Sequence, residues 1–288
     1  MTVWVVISVF NRRDYTEKCL TQLVDQPYQD LKIIVVDDGS SDGTSVMIKE
    51  GFPDVWLIQS DGSLYWTGSM NVGVDAALKE CAEDDYILVV NDDLVFDKQF
   101  VESFVTVSQR HPNAMIHACN IYLDNKDVIE FGGLKINWWT AKYSWRNKGR
   151  KRSEFEKGHV ERSDLLWGRG LLVPVSVIKQ CGNYDRRYQQ SGDPEFSRRA
   201  AKAGYELLVT YDVVAYMYPE NKPNINVRRE YALREVKDYF SSVLSQGRIK
   251  TLYLDSFLMA NNILQGAIFF CFHFSRHLWH FLRHVRRF

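Results

Sequence analysis

The sequence has 288 residues, of which 45% are hydrophobic, 14% aromatic and 25% charged. These proportions are those of a globular chain with a large core, and they exclude a disordered chain, a collagen and a disulfide-stapled miniprotein. Lysines and arginines together number 36, as do aspartates and glutamates, so the formal net charge is zero. A neutral chain has no global electrostatic reason to bind nucleic acid.

The start of the chain and its cysteines indicate the compartment. The first four residues run directly into an apolar segment, with no basic region and no cleavage site, so we expect no signal peptide. The cysteines are scattered, odd in number and without CxxC spacing: Cys19, Cys81, Cys119, Cys181 and Cys271. We therefore expect reduced structural thiols in a cytosolic protein rather than a disulfide framework or a metal site.

The first hundred residues alternate continuous apolar runs with segments of helical spacing. The apolar runs predict strands over residues 3–10, 31–36, 55–58 and 86–90. The intervening patterns predict helices over residues 15–24, 44–48, 68–80 and 98–109. Strands that alternate with helices are typical of an α/β fold with a mostly parallel sheet.

The pattern is weaker in the second half of the chain. Residues 138–162 are rich in tryptophan, lysine and arginine and low in periodicity, which indicates a long loop or short strands. A helix is predicted within residues 191–204, a strand over 207–217, and helices over 227–244 and 252–264. No linker rich in proline, glycine or serine separates two domains, so we expect one elaborated domain with a C-terminal helical extension.

Acidic residues stand where two of the predicted strands end. Asp37 and Asp38 follow the second strand, and Asp92 and Asp93 follow Asn91 after the fourth. One such pair is typical of a turn or a helix cap. In open α/β sheets, however, the ligand crevice lies outside the carboxyl ends of the strands, so both pairs face one cleft. Adjacent carboxylates repel each other unless a cation lies between them. A Mg²⁺ or Mn²⁺ ion can fill this role, with phosphate oxygens completing its coordination shell. The two pairs therefore predict a nucleotide diphosphate site.

Five segments also carry a resemblance to a known family. Residues 5–11, 33–42, 89–93, 167–174 and 191–204 resemble the successive motifs of family 2 glycosyltransferases, with the rhamnosyltransferase-like group nearest in character. The resemblance implies the GT-A fold, which is a Rossmann-like, mixed and mostly parallel sheet flanked by helices.

The same resemblance implies a division of the chain. It covers about three quarters of the sequence and places a GT-A domain over residues 1–220. Within this domain, about 1–110 form the nucleotide-sugar half and 111–220 the acceptor and catalytic half. Residues 221–288 remain as the helical extension.

The resemblance further implies roles for the residues that match the family motifs. Ser8 and Asp38 match positions that hold the nucleobase, and Asp92 matches the contact to the ribose. Asp93 matches the carboxylate that binds a Mg²⁺ or Mn²⁺ ion bridging the two phosphates. Asp193 matches the catalytic base, which takes the proton from the acceptor hydroxyl.

Other positions complete the expected site, and some of them depart from the family pattern. Glu195 is an alternative base. The other residues expected to bind the nucleotide-sugar are Asn11, Asp61, Trp66, Asn71, Gly168 and Arg169. The metal triplet begins with Asn91, which contributes no charge, and residues 214–219 contain no histidine to complete a metal shell.

Several residues keep a structural alternative. Residues 167–170 form either a turn bracketed by glycines or the place where Arg169 meets phosphate. Three tryptophans of the basic segment either join the core or stack on sugar faces: Trp138, Trp139 and Trp145. Arg198 and Arg199 are interpreted as a solvated helix face.

The C-terminal tail carries basic residues and no acidic ones, so charge is unevenly distributed along the chain. Residues 263–274 are mostly apolar, and residues 276–288 contain no acid but four arginines: Arg276, Arg283, Arg286 and Arg287. The apolar stretch is shorter than the roughly twenty residues of a spanning helix, whereas a basic helix with Trp, Phe and Leu suits a membrane interface. The alternative is a helix packed on the catalytic domain or on a second copy of the chain in a homodimer.

These features predict a metal-assisted inverting glycosyltransferase, peripheral at the cytoplasmic membrane face. Its donor is a UDP- or dTDP-sugar, and its acceptor is a glycan or lipid-linked saccharide in O-antigen or capsule-type polysaccharide synthesis. One alternative function is that of a nucleotidyltransferase. Such an enzyme needs a glycine-rich basic loop just after the first strand, whereas this chain has Asn11-Arg12-Arg13 there, without glycine. The other rival is a non-catalytic sugar-binding scaffold, which keeps the fold and needs no base.

Overall fold

The structure, a computed structural model, describes residues 1–218 and 235–284. The predicted helix over 227–244 lies partly outside these residues, and Arg286 and Arg287 of the tail lie wholly outside them. The described strands are β1 (Val3–Val9), β2 (Leu31–Asp37), β3 (Trp56–Gln59), β4 (Tyr86–Val89), β5 (Leu94–Phe96), β6 (Ala114–Tyr122), β7 (Asn125–Phe131), β8 (Leu134–Asn137), β9 (Lys142–Trp145), β10 (Val160–Arg162), β11 (Leu171–Pro174) and β12 (Glu206–Met217). The described helices are α1 (Arg13–Val24), α2 (Thr44–Gly51), α3 (Tyr65–Ala77), α4 (Phe100–Arg110), α5 (Val175–Cys181), α6 (Asp193–Lys202), α7 (Val236–Ser241), α8 (Ile249–Met259) and α9 (Ile263–His284), with one 3₁₀ turn at Arg152–Glu154.

The main sheet is mixed, with an all-parallel half. Its strand order is β10-β12-β6-β11-β4-β1-β2-β3, with β5 paired to β12 and β7 paired to β6. The pairs β3-β2, β2-β1, β1-β4 and β6-β12 are parallel, whereas β11 runs antiparallel between β4 and β6. The predicted α/β fold with a mixed sheet is confirmed. Because β1, β2 and β4 are parallel, their carboxyl ends meet at one edge of the sheet.

Helix α3 lies unusually close to the strands that carry this edge. A Cβ atom at Gly73 would stand 2.4 Å from Val6 Cγ1 and 3.2 Å from Val36 Cγ2, so only glycine allows this approach. The helix therefore packs directly on β1 and β2, and its first turn reaches the carboxyl ends of the strands.

The central strand β6 is the main element that the sequence pattern does not predict. Its residues from Ala114 to Ile121 are all buried, including His117 and Asn120. These two polar side chains interrupt the apolar run that normally signals a buried strand. In the basic segment after it, the short-strand alternative holds, since β9 and β10 lie there.

The predicted helix over 252–264 is wrong in one respect, because it is two helices. Helix α8 ends at Met259 and α9 begins at Ile263. Between them, the Asn262 side chain accepts a hydrogen bond from the Gln265 N–H at 2.9 Å, as a helix N-cap does. The Gln265 side chain accepts the Asn261 N–H at 2.8 Å in return. These two hydrogen bonds fix the start of a new helix.

The chain divides into two compact units. The first comprises residues 1–134 and 145–218, and the second comprises residues 135–144 with the described residues 235–284. In the second unit the β8–β9 hairpin packs on α9, where Trp138 stacks on Phe269 with ring centroids 5.6 Å apart. Arg276 of α9 donates hydrogen bonds to two backbone carbonyls of the hairpin. Trp138 is thus a packing residue of this unit.

No helix within the described ranges is both long and apolar enough to cross a membrane.

Candidate active site

Acidic side chains line the carboxyl ends of β2 and β4, as predicted. Asp37, Asp38 and Asp92 are buried, whereas the Asp93 side chain is 18% exposed. Asp37 has a structural role, because its carboxylate accepts hydrogen bonds from the Ser40 N–H at 2.9 Å and from the Ser45 hydroxyl. It closes the turn after β2, whereas the Asp38 carboxylate turns to the start of α3.

Asp38 holds the start of α3. Its two carboxylate oxygens accept the backbone N–H groups of Leu64 at 3.1 Å and Tyr65 at 2.7 Å. A carboxylate at this end is also favoured by the helix dipole. One residue further along, the indole N–H of Trp66 donates to Asn91 Oδ1 at 3.2 Å, just after β4. Helix α3 therefore links the two acidic pairs into one site.

Arg12, which directly precedes α1, bridges the second acidic pair. Its Nη1 lies 3.1 Å from Asp92 Oδ1, and its Nη2 lies 3.0 Å from Asp93 Oδ2. The Thr16 hydroxyl also donates to Asp92, at 3.2 Å. Burial raises the pKa of Asp92 to about 7, although the positive charge of Arg12 acts in the opposite direction. This arrangement couples the first turn of α1 to the end of β4.

The residues around Asp93 fit a metal ion that arrives with a ligand. In the part of the chain that the structure describes, no group of three or more His, Cys, Asp or Glu side chains could hold a metal. Nucleotide sites bind Mg²⁺ through one or two carboxylates, and substrate phosphates supply further oxygens. The partly exposed Asp93 can supply such an oxygen, so the site fits a metal–diphosphate complex rather than a metal caged by protein.

Asp193, the first residue of α6, is a buried carboxylate with 5% exposure. Its Oδ2 accepts the backbone N–H of Gly168 at 2.6 Å. Burial raises the pKa of Asp193 to about 6, while the Gly168 hydrogen bond and the charge of Arg169 lower it. A carboxylate with a pKa near neutrality can take up a proton during a reaction, as a general base must.

Glu195 has a different environment from Asp193. Its two oxygens pair with Arg199, at 2.9 Å to Nε and 3.0 Å to Nη2. Arg199 also donates to the carbonyls of Gly182 at 3.2 Å and Asn183 at 2.9 Å. The interpretation of Arg199 as a solvated residue is therefore wrong, because its fork ties α6 to the loop after α5. Glu195 is the counter-ion of the Arg199 side chain that makes these contacts.

Two glycines let α3 touch the segments around the Asp193 carboxylate. A Cβ atom at Gly168 would lie 2.5 Å from the Trp66 ring, and one at Gly192 would lie 2.9 Å from Thr67 Cγ2. The Thr67 N–H also donates to the Gln189 carbonyl at 3.1 Å. The structure thus joins Asp38, Trp66, Gly168 and Asp193 through one continuous set of contacts.

Arg169 lies beside this set and is already paired. Its Nη1 stands 3.6 Å from Glu130 Oε2 and donates to Met217 Sδ at 3.2 Å. Trp167, on the other side of Gly168, stacks on Trp145 with ring centroids 5.6 Å apart and planes 21° apart. Trp145 remains 43% exposed, so an aromatic surface adjoins the residues that hold Asp193.

Two predicted residues lie at the end of β1. Ser8 is half-buried in the strand, one residue before its end. Asn11 follows with a left-handed backbone, φ 52°, and is exposed. Its Oδ1 accepts the Ser41 N–H at 2.8 Å, which fastens the turn after β1 to the loop after β2.

Two further predicted residues lie away from the contacts that join the carboxylates. Asp61 is exposed, and hydrogen bonds from Ser63 lower the pKa of its carboxyl. Asn71 is buried in α3, where its backbone carbonyl accepts a hydrogen bond from Asn183 at 3.1 Å. Its amide nitrogen has no hydrogen-bond partner within the described parts of the chain.

Arg12 contacts both acids after β4, and the sequence pattern alone does not predict these contacts. The available signal is its position, because a basic residue three positions after the first strand lies at the same edge of the sheet as the acids that follow the neighbouring strands. Its partner Asp93 is 81 residues away in the sequence, so no local pattern marks the pair.

Comparison with known proteins supplies the family. Residues 4–167, more than half of the chain, match the family model described as glycosyl transferase family 2. An uncharacterized glycosyltransferase of Rickettsia typhi is 24% identical over 270 residues, which cover 89% of this chain and 74% of the relative. An N-acetylglucosaminyl-diphospho-decaprenol L-rhamnosyltransferase of Mycobacterium tuberculosis is 25% identical over 226 residues, which cover 70% of this chain and 71% of the relative.

A solved structure agrees at the level of the fold. The crystal structure of GalNAc-T7 with UDP, GalNAc and Mn²⁺ matches with a TM-score of 0.61 at 14% sequence identity. The match covers 76% of this chain and 44% of that one. The predicted GT-A fold is confirmed. The chain is therefore a glycosyltransferase and belongs to glycosyl transferase family 2.

Proposed function

We propose that this protein is an inverting glycosyltransferase that moves a sugar from a UDP- or dTDP-sugar to an acceptor hydroxyl. The observation that carries the proposal is Asp193, a buried carboxylate that the Gly168 N–H holds at 2.6 Å. Inversion needs one in-line displacement, so a single general base suffices. Asp193 takes the proton of the acceptor hydroxyl while that oxygen bonds to the anomeric carbon and the nucleoside diphosphate departs.

The donor is held at the strand ends. Ser8 and Asp38 bind the nucleobase and Asp92 binds the ribose. Each Asp38 oxygen accepts one backbone N–H, and a carboxylate has further lone pairs for the ring N–H of uracil or thymine. Asp93 would hold a Mg²⁺ or Mn²⁺ ion together with the diphosphate. When bound, such an ion neutralises negative charge on the leaving group.

The acceptor is a glycan or a lipid-linked saccharide. The exposed Trp145, stacked on Trp167 beside Gly168, offers an aromatic surface of the kind that sugar rings pack against. The name of the Mycobacterium tuberculosis relative describes rhamnosyl transfer to a lipid-diphosphate-linked sugar. It supports a rhamnosyl or other hexosyl donor and a role in surface polysaccharide synthesis of the O-antigen or capsule type.

A peripheral position at the cytoplasmic membrane face suits such an acceptor. Helix α9 carries no acidic residue and exposes five large apolar side chains: Ile263, Leu264, Phe272, Trp279 and Leu282. The Arg283 guanidinium lies 4.9 Å from the centroid of the Trp279 ring. Aromatic and basic side chains together are typical of helices that lie in the headgroup region.

The substitution Asp193→Asn tests the assignment of the base. Removing a general base lowers the rate by roughly 10²–10⁴-fold, so transfer should fall by at least 10²-fold. UDP and dTDP affinity, measured by calorimetry, should stay unchanged. The matched control is Glu195→Gln, on the same helix, which should keep most of the rate per folded molecule because Arg199 occupies both oxygens of Glu195.

The assay measures release of UDP or dTDP from a panel of nucleotide sugars, with and without saccharide acceptors. Full activity of Asp193→Asn would refute the base. Absence of release from every donor by the wild-type protein would instead favour a sugar-binding scaffold.

A further inference from the structure

Arg12 occupies the space between two carboxylates at which the proposed function places the donor diphosphate and its metal ion. Its guanidinium forms ion pairs of 3.1 Å with Asp92 and 3.0 Å with Asp93. The Arg12 side chain is 32% exposed, so it is only partly enclosed by the protein. The ring of Tyr15 lies 5.1 Å from the guanidinium carbon and fixes its position from within α1.

We propose that Arg12 is the counter-ion of Asp92 and Asp93 in the donor-free enzyme, and that it releases Asp93 when a metal–diphosphate complex binds. This inference rests on the proposed function, because it requires a nucleotide diphosphate at this site. A guanidinium carries five N–H donors in a planar fork. It can therefore keep Asp92 and turn its other nitrogens to a phosphate oxygen.

The charges explain why this exchange depends on the nucleotide. Asp92, Asp93 and Arg12 together carry one negative charge when both acids are ionised. A divalent ion without nucleotide must displace Arg12 from Asp93, and the guanidinium then loses a partner. With a diphosphate present, the guanidinium gains charged oxygens in exchange for the one it loses. Arg12 thus couples metal binding to donor binding, as a positioning residue for Asp93.

The proposal predicts how Mn²⁺ alone binds, without any turnover. Free Mn²⁺ is measured by electron paramagnetic resonance in titrations of the wild-type protein, Arg12→Gln and Arg12→Lys. Arg12→Gln should bind Mn²⁺ more tightly by roughly tenfold, the ratio that corresponds to about 1.4 kcal/mol. Arg12→Lys should fall between, because an ammonium is a point charge that cannot bridge both acids. The matched control is Arg13→Gln, since the Arg13 side chain is exposed and the hydrogen bond of Arg13 to Asp42 comes from its backbone N–H, which the substitution keeps.

A second measurement separates this role from a purely structural one. Saturating UDP should raise Mn²⁺ affinity strongly in the wild-type protein and much less in Arg12→Gln. If Arg12→Gln fails to fold, because a buried Asp92 has lost its pair, Arg12→Lys decides the question. Equal or weaker Mn²⁺ binding by the folded variants would overturn the proposal. A wild-type protein that binds neither UDP nor dTDP would instead refute the proposed function.

Discussion

Asp193 and Glu195 stand two residues apart at the start of α6, yet their surroundings give them different chemistry. Asp193 is buried against the backbone N–H of Gly168, with no ion pair among the described residues, and burial raises its pKa to about 6. Glu195 is buried against the fork of Arg199. A paired carboxylate cannot take up a proton without breaking its ion pair, whereas Asp193 can. The neighbouring partner therefore decides which of the two acids we propose as the base.

The raised pKa of Asp193 predicts a pH-dependent cost to folding. The unfolded chain has the lower pKa, so it releases the proton first as the pH rises, and wild-type stability falls between about pH 4 and pH 6. Asp193→Asn removes this penalty. Two pKa units correspond to about 3 kcal/mol, so the variant should be more stable at pH 8 by about 2–3 kcal/mol. Urea unfolding at pH 8 and at pH 5 should show the difference shrinking at the lower pH.

The same experiment has an internal control in Glu195→Gln. Loss of the charged hydrogen bonds to Arg199 should lower the free energy of unfolding by about 1–3 kcal/mol at pH 8. The two amide substitutions should thus shift stability in opposite directions. An Asp193→Asn protein no more stable than wild type at pH 8 would contradict the view that burial sets this pKa.

At the scale of elements, the first turn of α3 is the junction of the site. Asp38 binds its N-terminal N–H groups, Trp66 reaches Asn91 after β4, and Gly168 lies against the Trp66 ring. The position of α3 on the sheet depends on Gly73. A change at Gly73 or Gly168 therefore acts on Asp38 and on Asp193, the proposed base, together.

Gly168→Ala should damage both activity and stability through this junction. The new methyl group would stand 2.5 Å from the Trp66 ring, so either the ring or the backbone around residue 168 must move. Overpacking of this kind costs about 1–3 kcal/mol, and the displaced N–H no longer holds Asp193. The melting temperature and kcat should both fall. Gly51→Ala is the matched control, because its Cβ would meet nothing within 4 Å, and a similar loss there would refute the argument.

The sequence predicts some of these elements well and others poorly, for physical reasons. Strands β1, β2 and β4 are continuous apolar runs, so their ends and the acids that follow could be located. Strand β6 is equally buried, but His117 and Asn120 interrupt its apolar run, so the pattern does not predict a strand there. The ion pairs of Arg12 join residues about 80 positions apart, and they exist only because β1 and β4 are neighbours in the sheet. The hydrophobic pattern of the sequence therefore locates the strands, whereas the side chains that pair across the site depend on the order of the strands in the sheet.

At the scale of the whole molecule, a net charge of zero conceals two opposite distributions. The strand-end site in the first unit is acidic, with Arg12 as the cation between two of its acids. In the second unit, α9 combines Arg276 and Arg283 with exposed Phe272 and Trp279 and has no acid. The first distribution suits a cationic metal and its nucleotide. The second suits an anionic surface.

The exposed apolar side chains of α9 predict binding to anionic membranes. Trp279 is 60% exposed, and burying such a side chain in the interface contributes about 1.5–3 kcal/mol. The double substitution Trp279→Ser with Leu282→Ser should therefore weaken sedimentation with phosphatidylglycerol vesicles by at least tenfold, with unchanged nucleotide affinity. Trp56→Ser is the control, since Trp56 is an exposed tryptophan of the first unit. Vesicle binding that is unchanged by the double substitution would show that the Trp279 and Leu282 side chains of α9 do not form the membrane-binding surface. A wild-type chain that ignores vesicles but sediments as a dimer would assign the face to a second copy.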